Sequence, residues 1–390
     1  MITVIKNGEV YTPDYLGKRD ILLAGGKIEV ISEKIDVEKL PFNVEVIDAE
    51  GKTVVPGFID PHVHILGGGG EGGFKTRTPE IQLSDILYGG VTTVVGCLGT
   101  DGVSRDPKGL LAKARGLEEE GITTYIYSGS YAIPVVTFTK DCREDLIVID
   151  KVIGIGEIAI SDHRSSEPTY ENFVRVVAEA RVGGILSSKA GIVNVHIGGG
   201  KGKLKLLIDL VNDTDIPIKQ IIPTHANRSM EVFEACVEYA NLGGIVDLTT
   251  SSDPNHLEKN EVRASKGLKM LLDRNIPIEQ IEFSSDAQGS LPIFNEKGEF
   301  IGLGVGSVQS LWREVRDVIL TEGISIGEAI KVITINTANN LMLNHKGRIG
   351  LEKDADIVIL DSELNINDVI AKGKVAMRNK KLLMKGTFEA

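Results

Sequence analysis

Two histidines separated by one residue give the strongest chemical signal in the sequence, in the segment DPHVH at residues 60–64. If this segment ends a β-strand, His62 and His64 project from the same side of it, because strand side chains alternate between faces. Two imidazoles on one side of a strand can chelate a metal ion such as Zn²⁺. Taken alone, the pair is equally consistent with two structural histidines in a core.

Four further polar residues strengthen the metal interpretation, because each lies at or near the end of a separate predicted strand. They are Glu157, His196, His225 and Asp286. In a barrel of parallel strands, the carboxyl ends of all strands converge on one face. Four histidines and two carboxylates there can hold two divalent ions about 3.5–4 Å apart, with one carboxylate bridging them. The sequence therefore predicts a dinuclear metal site.

The elements that would position these residues follow from hydrophobic periodicity. From about residue 56, strand-like apolar runs alternate with amphipathic segments of helical length, such as Thr169–Val182 and Ser229–Asn241. The eight runs are residues 57–60, 91–95, 123–127, 155–160, 192–195, 221–224, 245–248 and 281–284. Eight β-then-α units in this order and length match a (β/α)8 barrel.

Both ends of the chain are rich in short strands instead. After a last helix candidate at Ile326–Leu341, the strand pattern of the first residues returns, with a strand at 356–360 and a hairpin at 372–384. The predicted fold class is α/β: a TIM-like (β/α)8 barrel over residues 56–345, beside a small β-sandwich domain built from residues 1–55 and 346–390.

Composition limits the partners and the compartment. The 390 residues carry a formal net charge of −12 and no basic block, which argues against binding nucleic acid or an anionic membrane. Three cysteines without a CxxC pair argue against a disulfide framework or a zinc ribbon. The first ten residues lack a signal-peptide pattern, and no apolar run approaches the roughly 18 residues of a membrane span. We therefore expect a cytoplasmic protein.

Several motifs resemble those of a known enzyme family. The segment PGFIDPHVH at 56–64 is similar to the first-strand motif of the amidohydrolase superfamily, and GRIG at 347–350 is similar to its return into the β-sandwich domain. Within this superfamily, the chain resembles the isoaspartyl (β-aspartyl) dipeptidases over essentially its whole length. The more restrictive marks are GGGGEGG at 67–73, SGSY at 128–131, ISDHRS at 160–165, PTHANR at 223–228 and SDAQGS at 285–290.

The resemblance implies a role for each ligand candidate. His62, His64 and Asp286 would bind the first metal ion, and His196 with His225 would bind the second. Zn²⁺ is the expected metal in both positions.

The resemblance also implies which residues act on the substrate. Asp286 would serve as general base, and Tyr131 would polarise the scissile carbonyl. The ends of the substrate would be bound by Glu71, Arg164, Arg228 and Ser290.

One position departs from the family pattern. In the well-known dipeptidases the bridging ligand is a carboxylated lysine, whereas counting back from DHR at 162–164 places Glu157 at that position. A glutamate supplies the same charge and two oxygens without bicarbonate. It is shorter than a carboxylated lysine, so the strand or the metals must shift to compensate. We predict a site bridged directly by Glu157.

The predicted substrate explains the charges of these residues. A β-aspartyl dipeptide carries one ammonium group and two carboxylates around its side-chain amide, so its recognition needs one acid and about two guanidinium groups. Glu71 would bind the ammonium group, and Arg164 and Arg228 would bind the two carboxylates. The sequence does not indicate which arginine binds which carboxylate. Hydroxide between the two metals would attack the amide, and Asp286 would transfer the hydroxide proton to the leaving amine.

Two other functions compete with this one. A cyclic-amide hydrolase of the dihydropyrimidinase or hydantoinase type would use the same barrel, but its substrates lack the charges that call for one acid and two arginines. A metal-free, amidohydrolase-like scaffold protein would have lost metal ligands, whereas all six candidates are present here. The expected partners are a small-molecule substrate and further copies of the chain, with an octamer as the candidate assembly.

The remaining features receive structural interpretations. Residues 67–73 are expected to form an active-site loop, since the GK[ST] ending of a phosphate loop is missing. Residues 161–163 are expected to hydrogen-bond beside the site. Cys97 is interpreted as a small core residue, and His256 and His345 as surface residues.

Overall fold

The structure, a computed structural model, describes residues 2–258, 260–295 and 300–389 of the chain. Its strands are β1 (Thr3–Tyr11), β2 (Tyr15–Ala24), β3 (Lys27–Ser32), β4 (Glu45–Asp48), β5 (Thr53–Pro56), β6 (Phe58–Val63), β7 (Val91–Gly96), β8 (Thr123–Ser128), β9 (Val152–Ile160), β10 (Ile192–Ile197), β11 (Ile221–Thr224), β12 (Val246–Thr249), β13 (Ile281–Ser284), β14 (Ser290–Phe294), β15 (Phe300–Val305), β16 (Ile357–Leu360), β17 (Ile366–Ala371), β18 (Lys374–Arg378) and β19 (Lys381–Leu382). Its α-helices are α1 (Leu83–Tyr88), α2 (Pro107–Glu120), α3 (Cys142–Val148), α4 (Tyr170–Ser187), α5 (Lys205–Asp213), α6 (Met230–Asn241), α7 (Ala264–Asp273), α8 (Gln309–Leu320), α9 (Ile326–Ala329) and α10 (Ile335–Asn340).

Strands from both ends of the chain form one nine-stranded mixed sheet. Its order is β19-β18-β17-β16-β5-β1-β2-β3, and β4 pairs with β1. The two chain ends meet where β5 pairs antiparallel with β16, with Val55 opposite Val358. Ile5, Ile28 and Ile357 belong to one buried cluster of the sheet, and burial of this apolar surface holds the two ends together. The prediction that both ends share one β unit is confirmed.

Eight parallel strands form the barrel in the middle of the chain. Strands β6 to β11 lie side by side in chain order, and β12 pairs with β13. Two backbone hydrogen bonds join these sets: the Ala226 amide donates to the Asp247 carbonyl, and the Asp286 amide donates to the His62 carbonyl, both at 3.1 Å. Every residue of β6, β7, β9 and β10 is buried, as expected for parallel strands that are covered on both faces. The eight strands are those that the periodicity predicted.

The helices follow the predicted segments with one exception. Thr169 and Ser229 cap α4 and α6 by accepting amide hydrogens from the first turn, which fixes where these helices begin. The single helix predicted over 326–341 is wrong, since a 3-10 turn at Ile330–Ile333 separates α9 from α10. Three consecutive β-branched residues, 332–334, disfavour a continuous α-helix there.

A hairpin that the sequence did not predict follows β13. Strands β14 and β15 pair antiparallel, with Ser290 opposite Val305. The hairpin lies at the carboxyl ends of the barrel strands, where it forms one wall of a cavity. Within the described ranges, no helix combines the length and apolar character needed to cross a lipid bilayer.

Candidate metal and substrate site

The two histidines of the DPHVH segment lie side by side at the carboxyl end of β6. Both are buried, and their ring centroids are 5.3 Å apart. Asp60 fixes this end of the strand, because its Oδ1 accepts the amide hydrogens of His62 (3.3 Å) and Ser285 (3.1 Å). The bond to Ser285 ties β6 to the segment after β13, and it places the histidine pair next to Asp286.

Glu157 projects from a bulge in β9. The pairing of β9 with β10 shifts register between Val193, opposite Ile155, and Val195, opposite Ile158, so β9 carries one extra residue. Gly156 forms part of the bulge, and a Cβ atom there would come within 2.9 Å of Asn194, so only glycine fits. Because a bulge redirects the strand, the backbone carries the shorter glutamate side chain inward. The shift of strand or metals that a glutamate at this position is expected to require stays a prediction.

The Glu157 carboxylate lies between two pairs of histidines. Its Oε2 is 3.2 Å from His62 Nε2 and 3.7 Å from His64 Nε2. Its Oε1 is 2.6 Å from His196 Nδ1 and 3.2 Å from His225 Nε2. Each oxygen therefore faces one pair, as a ligand shared by two metal ions would.

Neighbouring side chains orient the second pair of histidines. His196 Nε2 is 3.0 Å from Asp162 Oδ2, and His225 Nδ1 is 2.7 Å from Thr249 Oγ1. Burial opposes ionisation of Asp162, but hydrogen bonds from Arg164 and His196 bring the pKa of this carboxyl well below its usual value. An ionised acceptor of this kind fixes the tautomer and orientation of a metal-binding imidazole.

We call the six predicted ligands the metal floor: His62, His64, Glu157, His196, His225 and Asp286. Four of its buried atoms, His62 Nδ1 and Nε2, Glu157 Oε2 and Asp286 Oδ1, have no hydrogen-bond partner among the described residues. Buried polar atoms are normally paired, so unpaired lone pairs that lie this close indicate ligand atoms facing a common point. Ligand atoms of Glu157, His196 and His225 also lie within 4.8 Å of one another, which suits a divalent ion with nitrogen and oxygen ligands.

Asp286 of the metal floor and the neighbouring Tyr131 both line the cavity above it. Asp286 Oδ1 is 3.0 Å from His64 Nε2; burial would raise the pKa of this carboxyl, but the adjacent His64 ring and the charges of nearby histidines lower it to about 2. The Tyr131 hydroxyl is 2.9 Å from His196 Nδ1, and burial raises the pKa of this phenol well above its usual value. A carboxylate acceptor therefore lies near a neutral hydroxyl donor.

We call the four predicted substrate-binding residues the substrate rim: Glu71, Arg164, Arg228 and Ser290. Arg164 donates through Nε and Nη2 to Asp162 at 2.9 and 2.8 Å, and its Nη1 is 3.3 Å from Glu71 Oε1. Arg228 donates through Nε to the carbonyl of Ile197 at 3.1 Å. The rim thus places opposite charges side by side.

A cavity of about 570 Å³ joins the rim to the floor. All four rim residues, Tyr131 and four floor residues line it, while His62 and Glu157 are fully buried beneath. The structure therefore brings every predicted site residue together around one cavity.

Sequence reasoning missed part of the cavity wall. The β14–β15 hairpin adds apolar residues including Leu291 and Val305, and the loop after β12 adds acidic residues including Asp253 and Glu261. His256 is exposed, as predicted, but it also lines the cavity. The contribution of this loop to the cavity could have been predicted from its position after the seventh barrel strand, because the loops that follow barrel strands meet at the carboxyl face.

The chain matches the family model described as "Amidohydrolase family" over residues 53–387. This match covers the barrel and the C-terminal strands of the nine-stranded sheet.

A solved structure resembles the whole chain. It is a β-aspartyl dipeptidase from Fervidobacterium islandicum AW-1 in complex with the β-Asp-Leu dipeptide, 47% identical, with a TM-score of 0.92. The alignment covers 100% of this chain and 99% of that one. A D-hydantoinase structure, 18% identical with a TM-score of 0.69 over 100% of this chain and 98% of that one, shares the fold.

Dihydroorotases also match part of the chain. A dihydroorotase from Lactobacillus gasseri is 27% identical over 274 residues, which is 66% of this chain. The match spans only 60% of the length of that dihydroorotase.

Proposed function

The chain belongs to the amidohydrolase family and is a hydrolase, and from that premise we propose that it cleaves the isopeptide bond of β-aspartyl dipeptides with two bound divalent ions. The observation that carries the proposal is a single cavity in which a floor of metal ligands faces a rim of one acid, two arginines and a serine. The 47% identity over the whole length to a dipeptidase with bound β-Asp-Leu supports it.

The metal floor divides into two ligand sets that share one carboxylate. His62, His64 and Asp286 would hold the first ion, His196 and His225 would hold the second, and Glu157 would be shared by the two sets. Imidazole and carboxylate ligands suit Zn²⁺. Such ions would supply hydroxide at neutral pH by lowering the pKa of a bound water.

The substrate rim recognises the charged ends of the dipeptide. Glu71 binds the α-ammonium group, and Arg164 and Arg228 bind the two carboxylates through paired N–H donors. Ser290 adds a hydroxyl at the same edge of the cavity. Glu71 and Arg164 lie 3.3 Å apart, so a substrate with adjacent ammonium and carboxylate groups can exchange one ion pair for two.

Two residues move or hold protons during cleavage. Asp286 accepts the proton of the attacking water and passes it to the nitrogen of the leaving amine. The neutral Tyr131 hydroxyl donates a hydrogen bond to the carbonyl oxygen as negative charge develops on it. Because burial raises the pKa of Tyr131, this donor stays protonated throughout the neutral pH range.

A cyclic-amide hydrolase is the second candidate, because dihydroorotases match two thirds of the chain at low identity. Glu71 favours the dipeptide over this alternative, since cyclic amides such as dihydroorotate and dihydrouracil have no ammonium group for it to bind.

Three further statements remain predictions. The chain divides into a barrel at residues 56–345 and a β-sandwich domain from residues 1–55 and 346–390. It forms a homo-oligomer, and it is located in the cytoplasm.

Hydrolysis of β-Asp-Leu, compared with α-Asp-Leu, dihydrouracil and dihydroorotate, tests the proposal. We expect release of aspartate and leucine from the β-linked peptide only, measured by chromatography of the products. Turnover of a cyclic amide without turnover of β-Asp-Leu would replace the proposal with the second candidate. A metal content near zero after careful purification, with no turnover of any substrate, would favour a metal-free scaffold.

A further inference from the structure

Cys97 lies against the metal floor, as the first residue after β7. Its backbone amide donates to the carbonyl of Val63 at 3.0 Å, and Val63 is the residue between the two floor histidines. The sulfur Sγ is 3.7 Å from His64 Nδ1, and the side chain is fully buried. The sequence predicts that Cys97 is buried, but it does not predict the contact with the histidine pair. Pairing between β6 and β7 therefore sets a thiol beside the first histidine pair.

Cys97 forms a group with His62, His64 and Glu157 that has the composition and spacing of a metal site. One ligand atom from each of the four lies within 4.8 Å of the others. In a tetrahedral zinc site, sulfur and nitrogen ligands at about 2.3 and 2.1 Å from the ion lie about 3.6 Å from each other. The four side chains are therefore neighbours that would move closer together to bind one ion.

A second observation points to a ligand at this position independently of the cysteine. Both ring nitrogens of His62 and Glu157 Oε2 are buried without a hydrogen-bond partner among the described residues. Fully buried imidazole and carboxylate atoms rarely stay unpaired. One ligand atom of His62 and one of Glu157 lie within 4.8 Å of the Cys97 sulfur.

We propose that Cys97 binds the first metal ion as a thiolate, together with His62, His64 and Glu157. The inference rests on the metal part of the proposed function and is independent of the substrate. Binding releases the thiol proton to solvent, as metal binding to any protonated ligand does. A soft thiolate also selects thiophilic divalent ions such as Zn²⁺ over Mg²⁺ or Mn²⁺.

A purely structural role makes a different prediction. A thiol that only donates its S–H to His64 Nδ1 would orient that ring, as Asp162 orients His196, and its sulfur would never contact the ion. Removing an outer partner of this kind weakens metal binding by about 10–100-fold. Removing a direct ligand should weaken it by more, and it should also abolish any sulfur-to-metal electronic transition.

Cobalt substitution separates the two roles without measuring catalysis. The full chain is stripped of metal with a chelator and titrated with Co²⁺ alone, and its near-ultraviolet and visible spectra are recorded. We expect a thiolate-to-cobalt charge-transfer band in the wild type that saturates with the first ion bound. The band should disappear in Cys97→Ser and Cys97→Ala, whose visible cobalt bands persist and whose cobalt affinity falls more than about 100-fold.

The other two cysteines provide the matched control, since Cys142 and Cys236 lie in α3 and α6. The double variant C142A/C236A, in which Cys97 is the only cysteine, should keep the full band, which tests the proposal even if Cys97 variants fold poorly. Cobalt binding without the band, or a band that survives Cys97→Ala, would overturn the role of Cys97 alone. Failure to bind cobalt at all would overturn the proposed metal site as well.

Discussion

The metal floor and the substrate rim face one cavity but are held in different ways. Floor side chains come from the ends of buried strands, and they contact one another and internal partners such as Asp162 and Thr249. Rim side chains come from segments that follow the barrel strands, three from loops and Ser290 from the start of β14, and all four line the cavity. Glu71 and Arg164 pair with each other there.

This difference separates two kinds of function. The floor contains buried lone pairs without partners among the described residues, which suits the proposed role of its side chains as metal ligands. The rim contains charges that already have partners, so a charged ligand can exchange them at small net cost. Substitutions in the floor should therefore act on metal content and kcat, and substitutions in the rim on KM and substrate choice.

The largest effect is expected for Glu157→Ala. Glu157 is the one floor residue whose two oxygens face both histidine pairs, so its removal should release both ions and leave no measurable turnover. Elemental analysis of the purified variant gives the metal content. Glu71→Ala is the matched rim control, and it should keep both ions. Retention of one ion by Glu157→Ala would show that the glutamate does not bridge.

The next largest effect is expected for Asp286→Asn. An amide cannot accept the proton of the attacking water, so kcat should fall by about 10²–10⁴-fold, the range for loss of general acid–base catalysis. The KM for β-Asp-Leu should change little, because the rim is untouched. Steady-state kinetics with the metal content of each preparation measured in parallel gives both constants. A wild-type kcat would refute the assignment of Asp286 as base.

A rim substitution, Arg228→Ala, should have the opposite signature. Losing charge-assisted hydrogen bonds to one carboxylate costs about 1.5–3 kcal/mol, which raises KM by about 10–150-fold. The metal content and kcat should stay near wild-type values. Arg228→Lys should restore only part of the affinity, because an ammonium group lacks the paired donors of guanidinium. A fall in kcat with unchanged KM would place Arg228 with the floor instead.

Much of the floor was predictable because its signals are local. Apolar runs predicted all eight barrel strands, and the ends of those strands marked His62, His196, His225 and Asp286. The bulge that carries Glu157 inward was not predictable in detail, because an extra residue is defined only against the register of the neighbouring strand. The contact of Cys97 with the histidine pair was not predictable for the same reason, because it depends on how β6 pairs with β7.

The surroundings of the rim were harder to predict. The strands of the β14–β15 hairpin contain Pro292, Gly302 and Gly304, residues that weaken any strand signal. The loop that carries His256 has no hydrophobic periodicity. Its sequence therefore favours a surface position but does not predict that His256 faces the cavity. Loops around a barrel mouth are positioned by the strands that they follow, and their contacts with one another come from tertiary structure.

The smallest effect is expected for His163→Ala. His163 directly follows Asp162, which orients His196 of the metal floor. The His163 side chain is 90% exposed and only 3.5 Å from Asp162 at its nearest nitrogen, whereas Asp162 is buried and contacts His196. Exposed substitutions usually change stability by less than about 0.5 kcal/mol, so the thermal midpoint and kcat/KM of His163→Ala should match the wild type. Asp162→Asn, one residue earlier, should weaken metal binding by about 10–100-fold through His196. Equal metal affinities of the two variants would contradict this prediction. They would show that the buried contact between Asp162 and His196 does not help the floor to bind metal, and the distinction between floor and rim would then not hold for this segment.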